Sequence, residues 1–169
     1  LFEKRAIPIA MFALFVAVSY SSILSFLSLY AAEKNLIEAA SYFYIVFALA
    51  MLSVRPFTGK LFDRFGSKVV ILPSFFIFGI GLFVMSFVET TGMMLVAGAL
   101  IGIGFGTLST SLQTQAVQNA MKERTAYATA TYFTLFDIGI AIGSYLFGLL
   151  VMQLAFSTIY VVSGTLIMM

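Results

Sequence analysis

Asp137 is a carboxylate set inside the long apolar run Ala126–Gln153. In a helix over that run it lies about 12 residues in, roughly 18 Å by helical rise, near the middle of a bilayer. An ionised carboxylate there costs at least ~2.5–3.5 kcal/mol on insertion scales, so it requires a partner, water or a proton. Two chemistries follow. Asp137 is either a protonation site whose charge is coupled to solute binding, or a structural carboxylate, hydrated or paired with a basic residue elsewhere in the protein. It is the one acidic residue deep in an apolar run, so proton coupling confined to this chain has to use it.

A second group closes an earlier apolar run. Arg55 lies about five residues before the end of a helix over Ala39–Leu61, roughly 8 Å deep. It either snorkels to the interface or pairs with an acidic group such as Asp63 and latches a gate. Pro56 and Gly59 loosen the helix where such a gate would bend. The segment Gly59-Lys60-Leu61-Phe62-Asp63-Arg64-Phe65-Gly66-Ser67-Lys68 reads as a tight turn. Gly59 permits close backbone approach and Gly66 a positive φ. Asp63 is placed to accept charge-assisted hydrogen bonds from Arg64, Arg55 or a neighbouring helix N-terminus.

Softer polar groups form stripes. Ser21, Ser25 and Ser28 fall on one face of the first helix, and Thr107, Thr110, Ser111 and Thr114 on one face of the fourth, running on to Gln118. Hydroxyls in a row face an aqueous cavity or another helix rather than lipid. Both readings stay open, and two such stripes favour a shared aqueous pathway. Tyr20 and Phe26 are candidates to line it, with Tyr30, Tyr44 and Phe47 offering further aromatic faces for a hydrophobic cation or aromatic solute. Gly98, Gly102 and Gly106, and again Gly139 and Gly143, recur every fourth residue, a seam for close helix packing that also permits rocking.

Composition supplies the helices that carry these residues. The 169-residue chain is 62% hydrophobic and 9% charged, where a soluble domain has roughly 25% charged residues. The charges cluster at Glu3–Arg5, Glu33–Glu38, Lys60–Lys68, Glu89 and Lys122–Arg124, separated by apolar runs of about 20 residues or more, long enough to cross a bilayer. The expectation is an all-α membrane protein of one domain over residues 1–169. Its six transmembrane helices cover about 6–30, 39–61, 68–88, 93–118, 126–153 and 156–169, the last only partly present. Helix 3, nearly all apolar, suits a lipid-facing outer position.

Alternating spans put Lys4, Arg5, Lys60, Arg64, Lys68, Lys122 and Arg124 on one side and Lys34 alone on the other. That asymmetry makes the N-terminus cytoplasmic. The basic residues therefore read as topology signals, not a nucleic-acid surface. There is no Cys and no His, which removes disulfides, zinc sites and Cys- or His-based catalysis, and no cofactor is implied. No paired carboxylates or nucleophile–base arrangement suggests an enzyme. The start at Leu1 and the apolar finish read as a piece of something longer.

The Gly59–Lys68 segment closely resembles the loop G-x-L-x-D-R-x-G-x-K between the second and third helices of each half of the major facilitator superfamily. Ser53-Val54-Arg55-Pro56-Phe57-Thr58-Gly59 is similar to the S-R-P-x-x-G run in the eighth helix of bacterial drug-efflux-type members. The leader Glu3-Lys4-Arg5 with Ala6-Ile7-Pro8 resembles the link into the seventh. The resemblance implies the C-terminal six-helix half of a twelve-helix transporter, built as two inverted three-helix repeats, in a bacterial inner membrane. Helices 1 and 4 would line the cavity, 2 and 5 flank it, and 3 and 6 lie outside. Arg55, Gly59, Asp63, Arg64, Gly66 and Lys68 would form the cytoplasmic latch, and Asp137 the proton site for efflux of small amphipathic molecules. The implied partners are the lipid bilayer, the N-terminal half (or a second copy, for an isolated half), a small-molecule solute and the proton. A membrane scaffold without transport of its own is the alternative.

Overall fold

In lipid no water is present to satisfy backbone N–H and C=O groups, so apolar runs must close their hydrogen bonds internally, as helices. The structure, a computed structural model, describes residues 3–169. Among these, six helices form: α1 (Ile7–Glu33), α2 (Ile37–Phe65), α3 (Ser67–Ser86), α4 (Thr91–Gln118), α5 (Thr125–Val151) and α6 (Phe156–Met168), with one 3-10 turn at Lys122–Arg124 before α5. Pro8 sits in the first turn of α1, where its missing N–H has no helical partner to lose. Thr90 caps α4 by accepting a hydrogen bond from Met93 N at 3.3 Å. The first five helices are long and apolar enough to cross a membrane.

The charged segment after Leu61 differs from the expected turn. α2 continues through Phe65, and Gly66 alone separates it from α3. Lys60, Asp63 and Arg64 mark where the helix leaves the lipid, not where it stops, because nothing before Gly66 breaks a helix. At 29 residues α2 is about 43 Å long, longer than a ~30 Å hydrocarbon core. Arg55 is therefore ten residues, about 15 Å, from the helix end, not five. Gly66 reverses the chain with φ 86° and ψ 168°, a region essentially closed to residues with a Cβ.

Two pairs of parallel helices build the bundle: α2 lies along α4, and α1 along α5. Their directions follow from the neighbours of the glycines. Gly98, Gly102 and Gly106 meet Phe43, Phe47 and Met51 in rising order, while Gly139 and Gly143 meet Leu14 and Val18. α1 also touches α4, and α3 touches α6. Exchanging α1–α3 with α4–α6 turns the α1–α5 contact into the α4–α2 contact, so the chain is two inverted three-helix repeats.

α3 is less peripheral than its composition suggests. It packs tightly on α4 and on α6, with Phe78, Leu82 and Met85 fully buried while Leu72, Phe76 and Ile80 face outward. The reason is a pair of facing glycines: a Cβ on Gly104 would lie 2.5 Å from Phe78 N, and one on Gly81 would lie 2.7 Å from an Ile101 side-chain carbon. The helices left most open are α2 and α5.

Threading brings Glu3, Gly66 and the 3-10 turn to one end, hereafter the basic end. Gln115 on α4 donates to Ser67 Oγ at the start of α3, 3.2 Å away, so these segments do meet. At the far end Tyr30 donates its hydroxyl to Ser86 O at 3.4 Å.

Candidate functional site

Two rows of every-fourth residues face each other between α2 and α4. On α2 the row is Phe43, Phe47, Met51, Arg55, Gly59 and Asp63; on α4 it is Gly98, Gly102, Gly106, Thr110 and Thr114. Rows at this spacing interdigitate when helices pack ridge into groove. Over the first three steps the glycines take the bulk of Phe43, Phe47 and Met51, and the backbones close: a Cβ on Gly102 would overlap the Phe47 carbonyl. From Thr110 onward the glycines stop and side chains hold the helices apart. A cleft of about 260 Å³ opens there, lined by Arg55, Thr58, Gly59, Phe62 and Asp63 from α2 and Thr110, Ser111 and Thr114 from α4.

The cleft is thus polar and charged on one wall and hydroxylic on the other. Two hydroxyl hydrogens of the α4 wall are already committed, Thr110 donating to Gly106 O and Thr114 to Thr110 O at 2.8 Å, and on the α2 wall Thr58 donates to Arg55 O at 3.1 Å. Their remaining lone pairs make that wall an acceptor surface. Arg55 supplies fixed donors and Asp63 a fixed acceptor. The two lie eight residues apart, about 12 Å along the helix, and among the described residues they form no ion pair with each other. A cation and a carboxylate lining one cleft without pairing leave both able to grip something that enters it. Gly59 has open space around its Cβ position, so it thins the α2 wall rather than admitting a close neighbour. Arg64 and Lys68 are exposed beside the cleft, outside its lining, with Arg64 resting over the Phe65 ring at 5.3 Å.

The remaining sequence candidates go to other places. Ser21 is buried under α5 at Gly143 and donates to Val18 O at 2.6 Å, and Ser25 shares a 2.8 Å hydrogen bond with Ser144. On α1, Ser21 is therefore packed into the seam with α5, while Ser25 and Ser28 are exposed. Thr107 is buried and lies off the cleft. Phe26 belongs to the far end, with its ring 6.5 Å from that of Phe156. Tyr20 stacks on Phe105 with centroids 4.0 Å apart and planes within 10°. Phe105 also touches Phe47, Phe78 and Phe136, joining rings from five helices at the middle of the bundle. Asp137, next to Phe136, is exposed on α5; among the described residues it forms no ion pair.

Several contributors carry only weak signals in the sequence. Thr58 and Phe62 follow from reading the α2 face at three- and four-residue spacing. Phe105 is hidden among nineteen Phe. Gln115, which anchors the start of α3, and Glu3, buried at the basic end, have no local mark at all.

An inverted pair of three-helix repeats, with a charged row at the end of the second helix, is the arrangement of one half of a known membrane-bundle fold. The chain belongs to the Major Facilitator Superfamily, whose sequence model matches residues 5–169. It is similar to an uncharacterized MFS-type transporter of Methanocaldococcus jannaschii, 27% identical over 141 residues, covering 83% of this chain and 36% of that protein. It is also similar to an uncharacterized MFS-type transporter of Salmonella typhimurium, 22% identical over 147 residues, covering 87% and 38%. The chain spans little more than a third of the length of these relatives.

Proposed function

We propose that this chain is the C-terminal half of a secondary active transporter that works by alternating access. The observation that carries the reading is the cleft between α2 and α4, where Arg55 and Asp63 face Thr110 and Thr114. A gate needs groups that make strong contacts in one state and release them in the other. Unpaired opposite charges beside an acceptor wall have that property. The glycine steps above them keep the helices in contact, so the basic end can open while the rest of the pair stays packed. The basic end faces the cytoplasm of a bacterial inner membrane, by the seven-to-one excess of basic residues there.

In this scheme Asp137 carries the coupling proton. It is exposed on α5, and in this scheme a second six-helix half closes over it and encloses it near the midplane. There its ionisation depends on whether the cavity is wet and occupied. Neutralising Asp137 by protonation removes the desolvation cost of enclosure and couples a proton to each closure. The direction we assign is efflux, and the solutes small and amphipathic, in keeping with the cluster of aromatic rings around Tyr20, Phe47 and Phe105.

The test is flux in proteoliposomes made with the complete protein and a fluorescent amphipathic cation such as ethidium. A pH gradient should drive its accumulation. Asp137→Asn should abolish that accumulation while leaving ethidium exchange intact. A reconstituted protein inert under every gradient would favour the scaffold reading instead.

A further inference from the structure

Outside the cleft, the basic end holds a buried charged group that gating does not use. Glu3 precedes α1, and its side chain is 7% exposed. Its Oε2 lies 2.8 Å from Arg124 Nε, in the 3-10 turn before α5, an ion pair that holds this buried oxygen by charge, without a hydrogen bond. Its backbone N–H donates to Thr131 Oγ1 on α5 at 2.9 Å, and Thr131 in turn donates to Tyr127 O at 2.7 Å. Its second carboxylate oxygen accepts from Arg5 N at 3.4 Å. One residue of the first repeat is thus held by backbone and side chain to two elements of the second, the farther contact 128 residues away.

A carboxylate is rarely buried unless charge and hydrogen bonds satisfy it, and removing its partner strands it. This arrangement therefore has two states of very different energy, engaged or solvated, with little between them. At the same end of the bundle the α2–α4 pair has no such tie: its charges, Arg55 and Asp63, stand unpaired along the α2 wall of an open cleft. We propose that Glu3 is a positioning residue, the buried centre of a clasp with Arg124 and Thr131. The clasp makes α1 and α5 one rigid unit at the basic end and confines opening there to the α2–α4 side. The inference rests on the gating reading of the cleft, and it adds the element against which the gate moves.

The chain has no Cys, so single-cysteine reporters are clean within it. Ala128, fully buried on α5 beside the clasp, reports the clasp as Ala128→Cys; Thr114→Cys, exposed in the cleft, reports the gate. The probe is N-ethylmaleimide, applied to membranes carrying the complete protein. With the clasp intact, Ala128→Cys should react at least tenfold more slowly than Thr114→Cys. E3Q and E3R should each raise the Ala128→Cys rate at least tenfold and leave the Thr114→Cys rate within twofold. R124K, which keeps the charge, should stay near the parent, and the swap E3R/R124E should restore protection.

If Ala128→Cys stays equally protected in E3Q and E3R, the clasp is overturned. It is also overturned if both reporters rise together, since that is general loosening. Where a single variant fails to reach the membrane, recovery by the swap supports the clasp, and failure of the swap as well counts against it. A Thr114→Cys that never reacts, beside a clasp-dependent Ala128→Cys, sinks the gate and spares the clasp.

Discussion

The α2–α4 pair and the α1–α5 pair are exchanged by the inverted repeat, which turns the basic end of one into the far end of the other, and at the basic end they are sealed in opposite ways. In α2–α4 the glycines belong to α4 and the bulk to α2, and contact is closest in the half away from the basic end. Its basic end is an open cleft. In α1–α5 the glycines belong to α5, small serines on α1 fill the seam, and the basic end is closed by Glu3, Arg124 and Thr131. In the proposed gating scheme one pair is the hinge side and the other the anchor side. Symmetry of the fold places the helices; the residue rows decide which pair can part.

The comparison can be broken most severely at the glycine steps. Gly102→Leu should cost about 3 kcal/mol or more, because the new side chain meets backbone that cannot rotate aside. Loss of the monodisperse peak in detergent would show it, and Gly143→Leu should do the same to the anchor side. Next in size is Asp63→Asn, which should cut ethidium flux at least tenfold while membrane insertion stays normal; unchanged flux would remove Asp63 from the gate.

Gly66→Ala should cost about 1–3 kcal/mol through backbone strain alone, since nothing lies within 4 Å of its Cβ position. Thermal unfolding in detergent measures it, and Gly66→Asn should be no better tolerated, because ψ 168° is outside the left-handed helical well that Asn accepts. The smallest effect is expected for Ser25→Ala, about 0.6 kcal/mol from one inter-helix hydrogen bond. A large loss of flux with unchanged stability would return Ser25 to a solute-contacting role and blur the distinction between the two sides.

The fold was largely legible in the sequence because lipid permits few alternatives: apolar length set the spans, and the G-x-L-x-D-R-x-G-x-K pattern set the family. The helix end at Phe65 was misplaced because charge reports the membrane boundary, while helix termination depends on Gly66. The two hydroxyl stripes show the limit more clearly. On helical spacing alone, Ser21 and Ser25 look like Thr110 and Thr114. Whether a stripe meets a packed helix or an open cleft depends on which residues sit opposite, and that pairing is tertiary. The same holds for α3, whose apolar composition hides Gly81 facing α4, and for Glu3, whose partners are more than 120 residues away.

A membrane-impermeant maleimide applied to each side of sealed vesicles tests the central claim most directly, with single cysteines at Met51, Thr110 and Thr114 in the complete protein. Reaction at Thr114→Cys and Thr110→Cys from the side bearing Lys60 and Arg64, with Met51→Cys protected, is what a cleft ending at the last glycine step requires. Met51→Cys reacting as fast as Thr114→Cys, or Thr110→Cys silent from both sides, would mean that the two rows do not divide a closed seam from a gate.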